Sequence, residues 1–381
     1  MRVVNVNTSL DPHKGGGMAE RTFQLSKFLA RAGVECAVLT TDLGLTPERV
    51  RSMEGVEVIA LPCFNHRFYL PRFSYRRLKE LVKWADIVHL MGHWTFLNAL
   101  VYQMVISLGT MYAVCPAGSL PVFGRSKMIK MIYNQLVGRR IIRNADCCIA
   151  ITKGELPAFL AYGVDNDRVS VIPNGINPEE FSVRNDAAFR KKFGLDDTPV
   201  ILYMGRLNFI KGPDLLVEAF CSVRHELPEC QLVLAGPDEG MVHRLQELIA
   251  LNAAEERVHL VGYLGGEDKS MAYHVAELLV VPSRQEAMSL VALEAGVTGT
   301  PVLLTDQCGF DEISMVGGGK VVPATVDGLK KGLLMMMTNS AGLATMGANL
   351  ERYVKEKFSW STVAGEYVDL YRRTLERKKG K

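Results

Sequence analysis

Apolar runs of strand length alternate along this chain with stretches whose apolar residues recur at helical spacing. That alternation predicts parallel sheets with helices packed on both faces. Val3-Val4-Asn5-Val6 opens the series, followed by a glycine loop, a helix from about Met18 to Ala32 stopped by Gly33, and a second strand from Cys36 to Thr40. Further strands are expected near Val56–Ala60, Ile87–Met91, Met111–Cys115, Cys147–Ile151 and Val169–Ile172. A second series is expected at Val200–Met204, Leu232–Ala235, Val258–Val261, Leu278–Val281 and Val302–Thr305.

Between the two series stands Pro173-Asn174-Gly175, a run of turn formers. The chain therefore divides into a first Rossmann-like domain over residues 1–172, a linker at 173–181, a second Rossmann-like domain over 182–357, and a helical stretch at 358–381. This last stretch is expected to lie on the surface and to cross back toward the first domain. A length of 381 residues suits two α/β domains of about 150–200 residues each. Doubly wound sheets bind ligands beyond the carboxyl ends of their strands, so the expected architecture is α/β, with two such domains facing one interdomain cleft.

The eight cysteines are scattered and form no C-x-x-C pair, which points to reduced thiols, a cytoplasmic setting and no metal site. Met1 to Asn7 reads as a strand rather than a secretory leader. The most apolar stretch, Thr95 to Pro116, is interrupted by Asn98, Gln103, Gly109 and Thr110, and reads as a helix followed by a strand rather than a membrane span.

A net charge of +3 conceals an asymmetry. Residues 1–170 carry 21 Lys+Arg against 13 Asp+Glu, a net +8, and the remainder carries 23 against 28, a net −5. No acidic residue lies between Asp86 and Asp146, whereas Arg125, Lys127, Lys130, Arg139, Arg140 and Arg143 crowd the second half of that stretch. Such a patch attracts phosphate or an anionic bilayer, each basic residue near a membrane adding on the order of 1 kcal/mol. A solvated helix face gives the same pattern. No nucleic-acid partner is expected.

Three segments carry candidate chemistry. Gly15-Gly16-Gly17 stands between the first strand and first helix, where bare backbone N–H groups can face an anion; Glu20 replaces the third glycine of a dinucleotide fingerprint, and a tight turn is the alternative. Gly205-Arg206 ends a strand, and Lys211-Gly212 follows just before a helix, so two cations at a carboxyl strand edge suit a diphosphate, or else merely solvate the surface. In Pro282-Ser283-Arg284-Gln285-Glu286 and the helix after it, Glu286 can accept from a hexose hydroxyl and Glu294 from a ribose diol. Between them the N–H groups of Met288, Ser289 and Leu290 point toward a phosphate. Helix-dipole stabilisation is the plainer reading of Glu286, but Glu294 lies in the apolar run Leu290 to Val297 and fits it badly.

The second half resembles glycosyltransferase family 4, retaining enzymes of the two-domain GT-B fold. The resemblance rests on Val171-Ile-Pro-Asn-Gly-Ile-Asn177, Tyr203-Met-Gly-Arg-Leu207 with Lys211-Gly212, Leu232-Val-Leu-Ala-Gly236, Arg257-Val-His-Leu-Val-Gly262, and Glu286 to Glu294 followed by Ala295, Gly299, Thr300, Pro301 and Val302. A looser match continues through the first half in Gly15-Gly16-Gly17, Asp86-Ile-Val-His-Leu90 and Cys115-Pro-Ala-Gly-Ser-Leu120. It implies that Arg206 and Lys211 bind the diphosphate of a UDP- or GDP-type sugar donor, that Glu286 contacts the sugar and Glu294 the ribose, and that Tyr263 lies near the base. Where the family commonly has a second histidine this chain has Met91, and His93, beside Trp94, is the candidate for a catalytic or acceptor-positioning role.

Asp165-Asn166-Asp167 could suggest a metal-binding transferase, but it reads as a turn remote from the donor segments. Without a metal, Arg206, Lys211 and the helix start near Ser289 are left to stabilise the departing diphosphate. The resulting expectation is a retaining, metal-independent glycosyltransferase acting on a glycan or lipid-linked acceptor in surface polysaccharide, lipopolysaccharide or glycolipid assembly, with peripheral contact to an anionic membrane through the basic first domain; the resemblance also permits small soluble alcohols as acceptors. A nucleotide-sugar epimerase, a non-catalytic nucleotide-sugar binder and a Rossmann oxidoreductase are the competing readings.

Overall fold

The computed structural model describes residues 1–12, 15–122, 126–227 and 229–379. It forms two units, one of Met1–Gly175 with Trp360–Lys381, the other of Ile176–Ser359. Arg125 of the expected basic patch lies outside the described residues.

In the first unit the strands are β1 (Arg2–Val6), β2 (Glu35–Thr41), β3 (Val56–Leu61), β4 (Cys63–Asn65), β5 (Leu70–Pro71), β6 (Ile87–Met91), β7 (Met111–Cys115), β8 (Cys147–Ala150) and β9 (Val169–Val171). Seven of them form a parallel sheet in the order β3-β2-β1-β6-β7-β8-β9, with Val3 opposite both Cys36 and Ile87. Val3, Val4, Val6, Val88 and Leu90 are fully buried, as central parallel strands covered on both faces require. The antiparallel pair β4–β5 is an addition that the apolar pattern did not predict.

One expectation needs correction here. The helix Gly16–Arg31 begins before Met18, so Gly16 and Gly17 form its first turn rather than a preceding loop, with Gly15 as the cap. The helix Trp360–Lys379 belongs to the first unit and is amphipathic: Trp360, Val363, Ala364, Tyr367, Val368 and Tyr371 are buried at helical spacing, while Asp369, Arg372, Arg373 and Glu376 are exposed. It packs on Gly16–Arg31 through a polar seam. The buried Arg21 guanidinium donates to Asn174 Oδ1, to the Ile172 carbonyl at 3.2 Å and to the Tyr367 hydroxyl, while the Tyr371 hydroxyl meets His89 Nδ1 at 2.7 Å.

The second unit holds β10 (Val200–Met204), β11 (Gln231–Ala235), β12 (Val258–Gly262), β13 (Ala276–Val281), β14 (Val302–Thr305) and β15 (Gly319–Val322). They form a parallel sheet in the order β12-β11-β10-β13-β14-β15. The edge strand β15 was not expected, since glycines open it; a Cβ on Gly319 would stand 2.0 Å from the Val302 carbonyl oxygen. All eight cysteines are free thiols. Among the described residues no helix is long and apolar enough to cross a membrane.

The ends of β10 and β11 approach so closely that a Cβ on Gly236 would lie 1.7 Å from the Gly205 carbonyl oxygen. Gly236→Ala should therefore destabilise the second unit by about 1–3 kcal/mol, seen as a lower urea midpoint with an unchanged slope.

Candidate active site

In each sheet the strand order reverses, between β1 and β6 in the first unit and between β10 and β13 in the second. Loops leaving the carboxyl ends at such a point diverge and leave a crevice. The second unit fills the edge of its crevice with charge. Arg206, just beyond β10, places Nη1 3.1 and 3.2 Å from the two oxygens of Glu239, which also accepts from Asn208 Nδ2 at 2.7 Å. Asn208 Oδ1 in turn accepts from the Lys211 backbone N–H at 2.9 Å, so residues 206–211 form one braced loop.

Gly212 then takes a left-handed conformation at φ +67°, and a Cβ there would stand 2.2 Å from the Pro282 carbonyl oxygen. This close approach sets the start of the helix Pro213–Val223 against the loop that follows β13. Across the join, Lys211 Nζ meets Glu286 Oε1 at 2.6 Å, and Ser283 Oγ donates to the other Glu286 oxygen at 3.2 Å. Arg284 grips Asp214 with two bonds of 2.8 and 2.7 Å, and its backbone N–H donates to the Ile210 carbonyl. The Lys211–Glu286 pair is mostly buried, whereas the Arg206 side chain is half exposed.

The helix Leu290–Val297 starts just beyond Glu286, with Ser289 as its N-cap residue. Met288 is buried, and so is Ser289, whose hydroxyl oxygen has no hydrogen-bond partner among the described residues. Glu294 is buried further along, with Oε1 2.6 Å from Lys269 Nζ and Oε2 accepting from the Tyr273 hydroxyl at 2.5 Å. Burial and the adjacent carboxylate push the Tyr273 hydroxyl well above its ordinary pKa, so it remains a donor. Tyr263 is exposed just after β12.

Lys211 and Glu286 thus come together, Arg206 stands at the start of the same braced loop with Glu239 as its partner, and Glu294 is held by Lys269 and Tyr273 in the helix that starts just beyond Glu286. Sequence reading missed Glu239, Asn208, Lys269, Tyr273 and Ser283. The four-residue spacing of Lys269 and Tyr273 on the helix Gly266–Val275 was a readable signal; Glu239, in the turn Pro237-Asp238-Glu239-Gly240, gave none.

In the first unit His93 lies between β6 and the helix Phe96–Leu108, which Thr95 caps. The ring is buried, with Nε2 3.1 Å from Asn134 Oδ1, and Asn134 Nδ2 donates to the Tyr162 hydroxyl at 2.7 Å. Because Asn134 uses its oxygen here, Nε2 carries the proton; Nδ1 is buried with no partner among the described residues. Burial lowers the His93 pKa to about 4, against the opposing Asn134 bond, and lowers that of His89 to about 3, helped by the Arg21 charge. Both rings are neutral. Met91 is buried in β6, and Asp165-Asn166-Asp167 leads through the 3-10 turn Asn166–Arg168 into β9.

Two family models match this chain: residues 185–356 fit "Glycosyl transferases group 1" and residues 16–175 fit "Glycosyl transferase 4-like domain". A D-inositol 3-phosphate glycosyltransferase of Nocardia farcinica is 34% identical over 81% of this chain and 74% of its own. The chain belongs to the family 4 glycosyltransferases. Sucrose-phosphate synthase from Thermosynechococcus elongatus matches this family 4 chain with a TM-score of 0.75 at 22% identity, over 99% of this chain and 100% of that one. Anabaena HepE, solved in complex with UDP-glucose, matches with a TM-score of 0.74 at 17% identity over 99% and 100%. These likenesses establish the GT-B fold.

The buried histidines give this glycosyltransferase a pH dependence. Their folded pKa values lie below the ordinary 6.5, so the unfolded chain takes up protons first as pH falls. The stabilisation linked to these two rings is complete above about pH 6.5 and is lost as pH falls toward about 4 for His93 and about 3 for His89. Trp84, Trp94 and Trp360 all belong to the first unit, so their fluorescence reports its unfolding. The urea midpoint read this way should drop over that window, and more shallowly in His93→Gln.

Proposed function

We propose that this glycosyltransferase moves a sugar from a UDP- or GDP-type donor to a hydroxyl acceptor, retaining the anomeric configuration and using no metal. The arrangement that carries the reading is the Lys211–Glu286 pair with Arg206 and Ser289 around the paired carboxyl ends of β10 and β13. Cleavage of the bond between sugar and diphosphate leaves negative charge on the departing oxygens. Arg206, Lys211, the Ser289 hydroxyl and the N–H groups of Met288, Ser289 and Leu290 meet that charge from fixed positions.

A diphosphate that engages Arg206 and Lys211 competes with Glu239 and Glu286 for the same cations. Glu286, released in part from Lys211, then accepts from the sugar hydroxyls while Ser283 still holds its second oxygen. Glu294, fixed by Lys269 and Tyr273, accepts from the ribose, and Tyr263 lies beside the base. Gly16 and Gly17 leave the backbone of their helix start bare, and a Cβ on Gly16 would meet no atom within 4 Å. His93 acts as a neutral residue that positions the acceptor. Attack from the face that the diphosphate vacates gives retention with no covalent sugar–enzyme intermediate.

Two similar proteins support parts of this reading: Anabaena HepE was solved in complex with UDP-glucose, and the Nocardia relative is a D-inositol 3-phosphate glycosyltransferase. A phosphate-bearing acceptor agrees with the basic first half. We place the acceptor among glycans and lipid-linked sugars, met by a cytoplasmic enzyme on the inner face of a membrane in surface polysaccharide, lipopolysaccharide or glycolipid assembly.

Arg206→Ala and Lys211→Ala should each lower kcat by about 10²–10³; the melting temperature should change little in Arg206→Ala, whose side chain is half exposed, and fall in Lys211→Ala, which leaves the mostly buried Glu286 without its cation. Full activity in either would remove the diphosphate assignment. In EDTA, the matching nucleoside diphosphate at about 100 times its dissociation constant should add ~2.7 kcal/mol to the native state, read as a thermal shift. A shift that appears only when a divalent metal is added back would overturn the metal-free mechanism.

A further inference from the structure

The segment Lys127–Arg143 runs through a helix (Lys127–Tyr133), a π-helical turn (Asn134–Gly138) and a further helical turn (Arg139–Arg143). One side of it is anchored. Tyr133, Asn134, Val137, Gly138, Ile141 and Ile142 turn inward, the Tyr133 hydroxyl donates to the Thr95 carbonyl at 3.1 Å, and Asn134 holds His93 and Tyr162. Gly138 permits the π turn, since a Cβ there would stand 2.4 Å from Asn134 Oδ1.

The other side exposes what a water-facing helix normally hides. Met128 is 71% exposed and Leu136 69%, and Ile129, Met131 and Ile132 are each about half exposed. Five such side chains within nine residues form an apolar patch larger than scattered surface residues explain. Lys127, Arg139, Arg140 and Arg143 flank the patch, all exposed, and no acidic residue occurs between Asp86 and Asp146.

We infer that this face inserts shallowly into an anionic lipid bilayer, with Met128, Ile129, Met131, Ile132 and Leu136 among the acyl chains and the flanking cations at the headgroups. The inference deepens the proposed reading of a membrane-borne acceptor and rests on it for its purpose. An apolar strip flanked by cations on its own segment complements a surface that is apolar within and anionic at its edge. A second copy of the chain fits poorly, because a two-fold pairing of this face would bring like charges together.

Flotation with phosphatidylcholine vesicles, with and without phosphatidylglycerol, tests the inference at low and high salt. The wild-type chain should bind the anionic vesicles at low salt and keep part of that binding at high salt, since only the headgroup contacts are screened. Ile129→Asp combined with Ile132→Asp should lose on the order of tenfold or more in vesicle affinity, as should Met128→Ser with Leu136→Ser. Arg139→Gln with Arg140→Gln should weaken binding chiefly to anionic vesicles.

The nucleoside diphosphate thermal shift, measured on the same preparations, should be unchanged in every variant, which also shows that each is folded. No binding of wild-type protein at low salt overturns the inference while leaving the transferase reading intact, as does equal binding by the wild type and both apolar variants. A dimer in light scattering that Ile129→Asp with Ile132→Asp converts to a monomer, with no vesicle binding by either, overturns it in favour of a second copy. Loss of the nucleotide shift in the wild type, with vesicle binding retained, would instead strike the donor reading alone.

Discussion

The candidate site depends on the reversal of strand order in the second sheet. Because β10 and β13 are neighbours whose connections leave in opposite directions, two loops distant in sequence end side by side. Gly212 against Pro282 keeps these two close, while Gly236 against Gly205 sets the loop after β11 on the first and Gly309 against Ala287 sets the loop after β14 on the second, where a Cβ would stand 2.1 Å from the carbonyl oxygen. A side chain at any of these points would push the loops apart. The bond between Lys211 and Glu286 follows from that closeness, whereas Arg206 is set by Glu239 from the loop after β11.

Most of the strands were legible because central parallel strands are buried on both faces and must be written in continuous apolar residues. Val200–Met204 and Ile87–Met91 are of this kind and appear in the structure with the expected bounds. The misses share a cause. The strands β4 and β5 are short and carry exposed side chains such as Phe64, and β15 opens on glycine because Val302 presses against it, so neither shows an apolar signature. The helix Trp360–Lys379 showed its apolar face but not its polar partner, because Tyr367 accepts from Arg21, more than 300 positions away.

The site was legible where a charge stood in the wrong company. Arg206 and Lys211 sit at a strand edge, and Glu294 interrupts an apolar helix, so each drew attention by itself. Their partners did not, because Glu239, Lys269 and Tyr273 are ordinary residues on other elements until the fold brings them within hydrogen-bond reach. His93 shows the opposite limit. Its position after a strand suggested chemistry, but the residue that fixes its ring, Asn134, stands 41 positions on and gave no signal.

The polar seam around Arg21 has a consequence for how the protein is made. The first unit is discontinuous, since its closing helix is translated only after the whole of residues 176–359. Until that helix emerges, Arg21 and His89 lack the Tyr367 and Tyr371 hydroxyls, and the apolar surface that the helix covers stays open to water. The second unit can therefore complete its sheet on the ribosome while the first, though begun earlier, is still unfinished. The unit whose first strands precede the second unit in the chain is completed only by a helix that follows it.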